Sequence, residues 1–299
     1  METYRIILRR LANAAFFVYS SIGKQCIRIS GTRRPLSAPY LSGDGFRLLA
    51  DHILDETQPS LDLPVIDTYD RIFVSGAYIR TFFEKYHAKI RVPYILMTHN
   101  GDECVDKSYR KYLSGHLVRW YAQNVKIRDK KIIPIPIGLE NLYHYNHGIP
   151  WMYKKNVKTK QMKIVYGFTT STNRKEREYA EKCLRHCAVS VKLSGYYHSL
   201  KYTNVLARYG FVASPSGNGL DCHRTWEALY LGVIPIVKRS VAMEFFVSLG
   251  LPIYCVDDWK EVEKLTEKQL LTIYRAKKSG FRSPILWFSY WQKRIKKRI

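Results

Sequence analysis

What most limits the fold is an alternation. Eight apolar runs of four to six residues, at 71–74, 94–98, 132–137, 163–168, 190–193, 211–214, 233–237 and 253–256, are separated by longer mixed segments. Runs that short and mostly apolar suit strands of a parallel sheet, and the gaps can hold the helical crossovers such a sheet needs. Helices are expected over 78–87, 173–187, 223–231 and 259–278. The fold class is therefore α/β. At 299 residues the chain reaches the size, about 250 to 300 residues, at which single cores stop growing, so two domains are expected. Residues 148–161 carry Pro150 and several lysines with little apolar periodicity, and a strand follows at once. A linker there puts the boundary near residue 155. This gives Rossmann-like domains at 1–155 and 156–280, and a final helix at 281–299, with a basic tail, returning to the first domain.

The formal charge of +24 calls for an anionic partner: nucleic acid, an anionic membrane, or phosphate-bearing substrates. No zinc-finger spacing or RNA-recognition signature accompanies the charge, so nucleic acid is not the expected partner. Six cysteines, at 26, 104, 183, 187, 222 and 255, show no metal-ligand pairing and read as reduced thiols. The apolar stretch 11–22 is too short for the ~20 residues of a membrane span, and reads as an amphipathic or buried helix. The tail mixes Leu286, Trp287, Phe288, Tyr290 and Trp291 with Lys293, Arg294, Lys296, Lys297 and Arg298. That mixture suits an interfacial helix in peripheral contact with an anionic bilayer, and equally a helix packing across both domains.

The richest stretch is 211–238: a strand, the loop Ser216, Gly217, Asn218, Gly219, Leu220, a helix and a second strand. The glycines permit close approach of backbone to a ligand. Asp221 is placed to cap the helix, whose positive end would then face the loop, an anion site in outline. Arg224 and Glu227, three apart, project from one helix face. A guanidinium fork suits a diphosphate and a carboxylate suits two ribose hydroxyls. A plain surface ion pair at helical spacing is the alternative.

The run Gly217, Gly219, Arg224, Trp226, Glu227, Ala228, Leu229, Gly232, Ile234, Pro235, Val237 resembles the C-terminal signature of exostosin-like glycosyltransferases. The resemblance is specific over about 28 residues. It implies a GT-B fold, a nucleotide-diphosphate sugar donor, and Arg224 and Glu227 as diphosphate and ribose contacts. It also implies inversion at the anomeric carbon without a required metal or cofactor. Asp221, Cys222 and His223 stand where that family often has small hydroxyl residues, and Asp221 and His223 are counted with the donor site.

Three further loops complete the expected site. After the strand at 163–168 come Thr169, Thr170, Ser171, Thr172 and Asn173, then Arg174 and Lys175 at a helix start. Hydroxyls and free amides followed by cations make a second phosphate cradle, or an ordinary helix cap. The strand at 94–98 runs into His99, Asn100, Gly101, Asp102 and Glu103, polar residues at the carboxyl end of a parallel strand, where ligands bind. An inverting transfer needs a base, and Asp102, then His99 or Glu103, could supply it. A capped strand-to-helix turn is the alternative. Asn100, Glu103, Glu140 and Asn141 are expected on the acceptor side.

The expected protein is a hexosyl- or pentosyltransferase moving a sugar from a UDP-linked donor to a glycan or lipid-linked acceptor. The alternatives are a nucleic-acid or anionic-surface binding module and a sugar-binding protein without catalysis. Reduced cysteines and the lack of a span lead to the expectation of a cytosolic enzyme, soluble or peripheral, of bacterial or large-virus origin.

Overall fold

The computed structural model describes residues 2–29, 34–155, 157–195 and 197–297. Two five-stranded sheets, every strand pair parallel, divide the chain between them. Helices α1 (Glu2–Ile29) and α2 (Gly43–Arg47) precede the first sheet, which runs β1 (His52–Leu54), β2 (Arg71–Ser75), α3 (Ile79–Lys85), β3 (Tyr94–His99), β4 (Leu117–Ala122) and β5 (Ile132–Pro134). The second half runs β6 (Gln161–Tyr166), α4 (Arg174–His186), β7 (Ser190–Lys192), α5 (Ser199–Leu206), β8 (Tyr209–Ala213), α6 (His223–Tyr230), β9 (Ile234–Lys238), α7 (Val241–Ser248), β10 (Tyr254–Val256), α8 (Glu267–Lys277) and α9 (Phe288–Lys296). Two Rossmann-like sheets on either side of a cleft are the GT-B arrangement that the resemblance implies.

The first sheet has the order β1-β2-β3-β4-β5. Each step moves the same way, so right-handed crossovers all fall on one face. That face packs Ile72, Val74, Leu96, Trp120 and Ala122 against Phe82 and Phe83 of α3. The other face, bearing Phe73, Ile95, Met97 and Tyr121, has no crossover to cover it. It is closed by Phe46 of α2, Trp226 of α6, Phe246 of α7 and Trp291 of α9, so one apolar core runs through both halves. The Tyr230 hydroxyl adds a polar tie, accepting from the Leu41 amide at 3.1 Å and donating to the Leu286 carbonyl at 2.9 Å.

The tail aromatics are consumed by this closure. Trp291 is fully buried, 6.0 Å from Phe46 in edge contact, and Leu286 is buried beside it. Packing across the two halves therefore accounts for them, and Arg298 lies outside the described residues. The stretch 11–22 forms the middle of α1, where Phe16 stacks on His198 at 4.8 Å and Ser20 donates to the Tyr145 carbonyl at 2.6 Å. Leu11, Phe17, Val18 and Ile22 point to solvent. No described helix is long and apolar enough to cross a membrane, and all six cysteines are free thiols.

Some elements differ from expectation. β4 was hidden because Arg119 interrupts its apolar run, and β1 is only three residues long. The helix expected over 259–278 is broken at Leu265. A 3-10 turn (Trp259–Lys264) opens with the capping box Asp258–Glu261, and α8 starts afresh with a second box, Thr266–Gln269.

Candidate active site

The second sheet has the order β10-β9-β8-β6-β7. The chain steps from β6 to β7 one way and then crosses back to β8, so the direction reverses between β6 and β8. Ligands of open parallel sheets bind at the carboxyl end of such a switch point, where the loops part. Here the two loops are 167–173 and 214–222, and they line a cavity of about 870 Å³ that also reaches Asp102, Ile137 and His147 of the first half.

Arg224 and Glu227 both face this cavity, but they do not pair with each other. The Arg224 guanidinium donates to the Tyr202 hydroxyl and the Gly167 carbonyl, each at 3.3 Å, and sits 5.7 Å from the Phe168 ring. Among the described residues it has no ion-pair partner within 4 Å. Glu227 is buried, with Oε1 3.2 Å from His147 Nδ1, close enough for an ion pair though not aligned for a hydrogen bond. Burial pushes the Glu227 carboxyl up, but the neighbouring positive groups, His147 foremost and then His223 and Arg224, together more than offset it and hold the group below its ordinary range. Burial likewise opposes the charge on His147, and Glu227 raises that group. The simple surface ion pair is thus replaced by a cation lacking a carboxylate partner and a carboxylate held ionised.

The loop before α6 is held from several sides. Ser216 is turned away from the cavity: its amide and hydroxyl both go to the Glu176 carboxylate. Gly217, Asn218 and Gly219 form the cavity wall, while Leu220 is half-buried off it. A Cβ on Gly219 would stand 2.8 Å from the Asn124 side-chain amide nitrogen, so glycine here leaves room for that side chain.

Asp221 does not cap α6. The cap position is Cys222, without a side-chain cap bond. Asp221 Oδ2 instead accepts from the Ile137 amide at 2.9 Å and the Trp226 indole at 2.8 Å, and its own amide donates to Asn124 Oδ1 at 3.1 Å. Its carboxylate thus bridges the two halves at the floor of the cleft. Oδ1 is buried with no hydrogen-bond partner, and burial pushes the group up to about 7.

The cradle expected at 169–175 is assembled differently. Thr169, Thr170 and Thr172 line the cavity, but Ser171 and Arg174 face solvent, Arg174 being paired with Glu178 at 2.7 Å. Asn173 caps α4 and donates to Ser216 Oγ at 3.1 Å. From this helix it is Arg177, one turn further on, that reaches the cavity, which Lys192 and Arg224 also line; Arg177 donates to the Thr169 carbonyl at 2.7 Å and the Ser216 carbonyl at 2.9 Å. Sequence reasoning missed Arg177, Asn124, His147 and Tyr202. Helical spacing could have offered Arg177 as the residue on the same face as Arg174; no local pattern marks the other three.

On the first sheet's side, a second cavity of about 320 Å³ is lined by Arg34, Glu56, Asn100, Asp102, Gln123, Glu140, Asn141 and His223, among others. Asn100, in left-handed backbone at φ 55, donates to Asp44 Oδ1 at 3.3 Å and accepts from Asn141 at 3.1 Å. Glu140 accepts from the His147 amide at 2.8 Å. Gln123 is buried with Oε1 unpartnered. Asp102 lines both cavities.

Two expectations change here. His99 Nδ1 accepts from the Asn100 amide at 2.7 Å, Nε2 donates to the Pro136 carbonyl at 2.9 Å, and burial pushes the ring down to about 4. With neither nitrogen free, His99 holds the loop and has no lone pair for a substrate proton. Glu103 turns away from both cavities, accepting from the Tyr109 hydroxyl at 3.0 Å and from Arg80 at 3.3 Å. Among the described residues no group of three or more His, Cys, Asp or Glu side chains is arranged to hold a metal ion.

Comparison with known proteins bears on the second half. Among solved structures the chain is similar to the glycotransferase of kitacinnamycin (10% identity, TM-score 0.38, covering 76% of this chain and 75% of that one) and to apo OtsA (9%, 0.41, 79% and 75%). Among curated relatives it is similar to ribitol-5-phosphate xylosyltransferase 1 of Homo sapiens, 24% identical over 116 residues, a match covering 34% of this chain and 26% of that protein. The match thus spans about a quarter of that relative's length. Residues 151–299, which include the whole of α6 and both loops of the switch point, match the family model described as the RXYLT1 C-terminal domain.

Proposed function

We propose that the protein is a glycosyltransferase that moves a sugar from a nucleoside-diphosphate donor to a hydroxyl-bearing acceptor. The observation that carries this is the Arg224–Glu227 geometry: a cation without a carboxylate partner among the described residues and an ionised carboxylate, one turn apart, at the switch point of a parallel sheet. Diphosphate oxygens complete the first and ribose hydroxyls the second. Arg177 adds positive charge behind the loop, and about 870 Å³ accommodates a nucleotide sugar. The similarity of residues 151–299 to the RXYLT1 C-terminal domain points the same way.

The smaller cavity suits the acceptor. Its unpartnered Gln123 Oε1 accepts, and a hydroxyl is a donor. On this reading Arg224 offsets the charge that develops on the departing diphosphate, an effect that grows toward the transition state. We read the donor as UDP-linked and the transfer as inverting, without a cofactor or metal, as the exostosin resemblance implies. Likeness to the human relative makes a xylose donor with ribitol 5-phosphate the first pair to try.

The test is a thermal-shift panel of UDP, GDP, CMP and their sugars, since a ligand that binds the folded state stabilises it by mass action, followed by turnover of radiolabelled UDP-sugars. Stabilisation by one nucleotide family and label transfer to an acceptor is the expected result. No shift with any nucleotide, together with a salt-dependent oligonucleotide complex, would overturn it.

A further inference from the structure

The two cavities share three wall residues: Asp102, Ile137 and His223. Donor and acceptor can react only where their sites meet, so a group that takes the acceptor proton belongs to this shared wall. Ile137 has no such group, which leaves Asp102 and His223.

The two differ in how they are held. Asp102 is exposed on its loop, and among the described residues its one hydrogen bond is through its backbone carbonyl, from Cys104 Sγ at 3.8 Å. His223 is the first residue of α6 and is half-buried, with Nδ1 2.9 Å from the Gly138 carbonyl oxygen. A carbonyl oxygen only accepts, so Nδ1 must carry the proton. In the neutral ring Nε2 then presents a lone pair. The contact to Gly138, which lies in the first half, also orients the ring across the cleft.

The direction of the helix supports the same role. Successive residues of an α-helix diverge by about 100°. His223 reaches toward Gly138 of the first half, while Arg224 reaches toward Gly167 and Tyr202 of the second. A base on one side of the cleft and a cation for the leaving group on the other is the disposition that an in-line displacement needs. The imidazolium that forms keeps its bond to the Gly138 carbonyl and lies within electrostatic reach of the Glu227 carboxylate. Around it stand Asp102, Glu140 and neutral His99 from the first half, and Asp221, Arg224 and Glu227 near or on its own helix.

We infer that His223 is the general base of the transfer. Its Nε2 takes the proton of the acceptor hydroxyl as that oxygen bonds to the anomeric carbon. The bond from that carbon to the diphosphate oxygen breaks, its electron pair leaves with the nucleoside diphosphate, and the imidazolium later releases its proton to solvent. This rests on the glycosyltransferase reading above.

The test uses His223→Asn, whose side-chain amide can keep the bond to the Gly138 carbonyl while presenting no basic nitrogen, beside His223→Ala and Asp102→Asn. UDP affinity is read by calorimetry, and turnover as UDP release from UDP-xylose, both with ribitol 5-phosphate and with water as the acceptor. His223→Asn should bind UDP within about twofold of wild type and lose about 10² to 10⁴ in turnover with either acceptor, the range of a removed general base. Added imidazole should restore part of the turnover of His223→Ala. Turnover of His223→Asn within about threefold of wild type, or collapse in Asp102→Asn alone, overturns the assignment while leaving the glycosyltransferase reading intact. Wild-type protein that binds none of UDP, GDP and CMP and releases none of them from their sugars overturns both.

Discussion

Replacing Asp221 with asparagine should abolish a pH-dependent loss of stability. The residue is 4% exposed; Oδ2 accepts two hydrogen bonds and Oδ1 none, so its ionised form is poorly compensated. Burial raises the carboxyl from an ordinary 3.8 to about 7. Between those values the folded chain holds a proton that the unfolded chain has lost, so this contribution is fully present below pH 3.8 and disappears as pH rises through 7. Three units at about 1.4 kcal/mol each amount to about 4 kcal/mol, and a titration from pH 5 to pH 8 samples roughly 3 kcal/mol of it. Asparagine keeps one carbonyl oxygen for the Ile137 amide and the Trp226 indole and never ionises. Urea unfolding of both proteins, followed by tryptophan fluorescence at pH 5, 6, 7 and 8, measures the difference. Subtraction removes the titrations of His99 and His147, which the substitution leaves in place. The stability of Asp221→Asn relative to wild type should climb by about 3 kcal/mol across that range, most of it before pH 7. Parallel curves, with a difference constant to about 0.5 kcal/mol, would refute the reasoning and mean that the carboxylate meets solvent or a donor when the cleft opens.

Other outcomes follow from the same geometry. Arg224→Ala should lower turnover by about 10² to 10³ with a smaller effect on UDP affinity, whereas Glu227→Ala should mainly weaken donor binding, because ribose contacts persist through the reaction; steady-state kinetics beside calorimetry separates the two. Arg174→Ala should leave UDP affinity within about twofold, since its guanidinium is exposed and paired with Glu178, while Arg177→Ala should weaken it about tenfold or more, as expected for a charged hydrogen-bonding group. Gly219→Ala would drive a methyl group into the Asn124 amide, which also holds the Asp221 backbone; melting should show about 1 to 3 kcal/mol of destabilisation, and an unchanged melt would mean that the loop can move aside.

Much of the fold and part of the site could be read from the chain alone, because both rest on local relations. Short apolar runs between helical segments determine a parallel α/β fold through burial and crossover geometry. Two glycines before an Arg-Glu pair at helical spacing mark the helix proposed to hold the donor, and Arg224 and Glu227 do face one cavity. Spacing also implied what those two side chains could bind. It could not say that they decline to pair with each other, because that depends on His147, 80 positions from Glu227, and on Tyr202, 22 positions from Arg224. Asp221 reads locally as a helix cap, yet a backbone amide 84 positions away takes its carboxylate. His99 and Glu103 looked available at a strand end, and the folded loop engages both. Local spacing determines which residues share a face, since backbone geometry repeats every few residues. Which of them is left with a free lone pair or an unmatched charge is decided only when distant segments arrive with their own donors and acceptors, and here that selects His223, Arg224 and Arg177 over their neighbours.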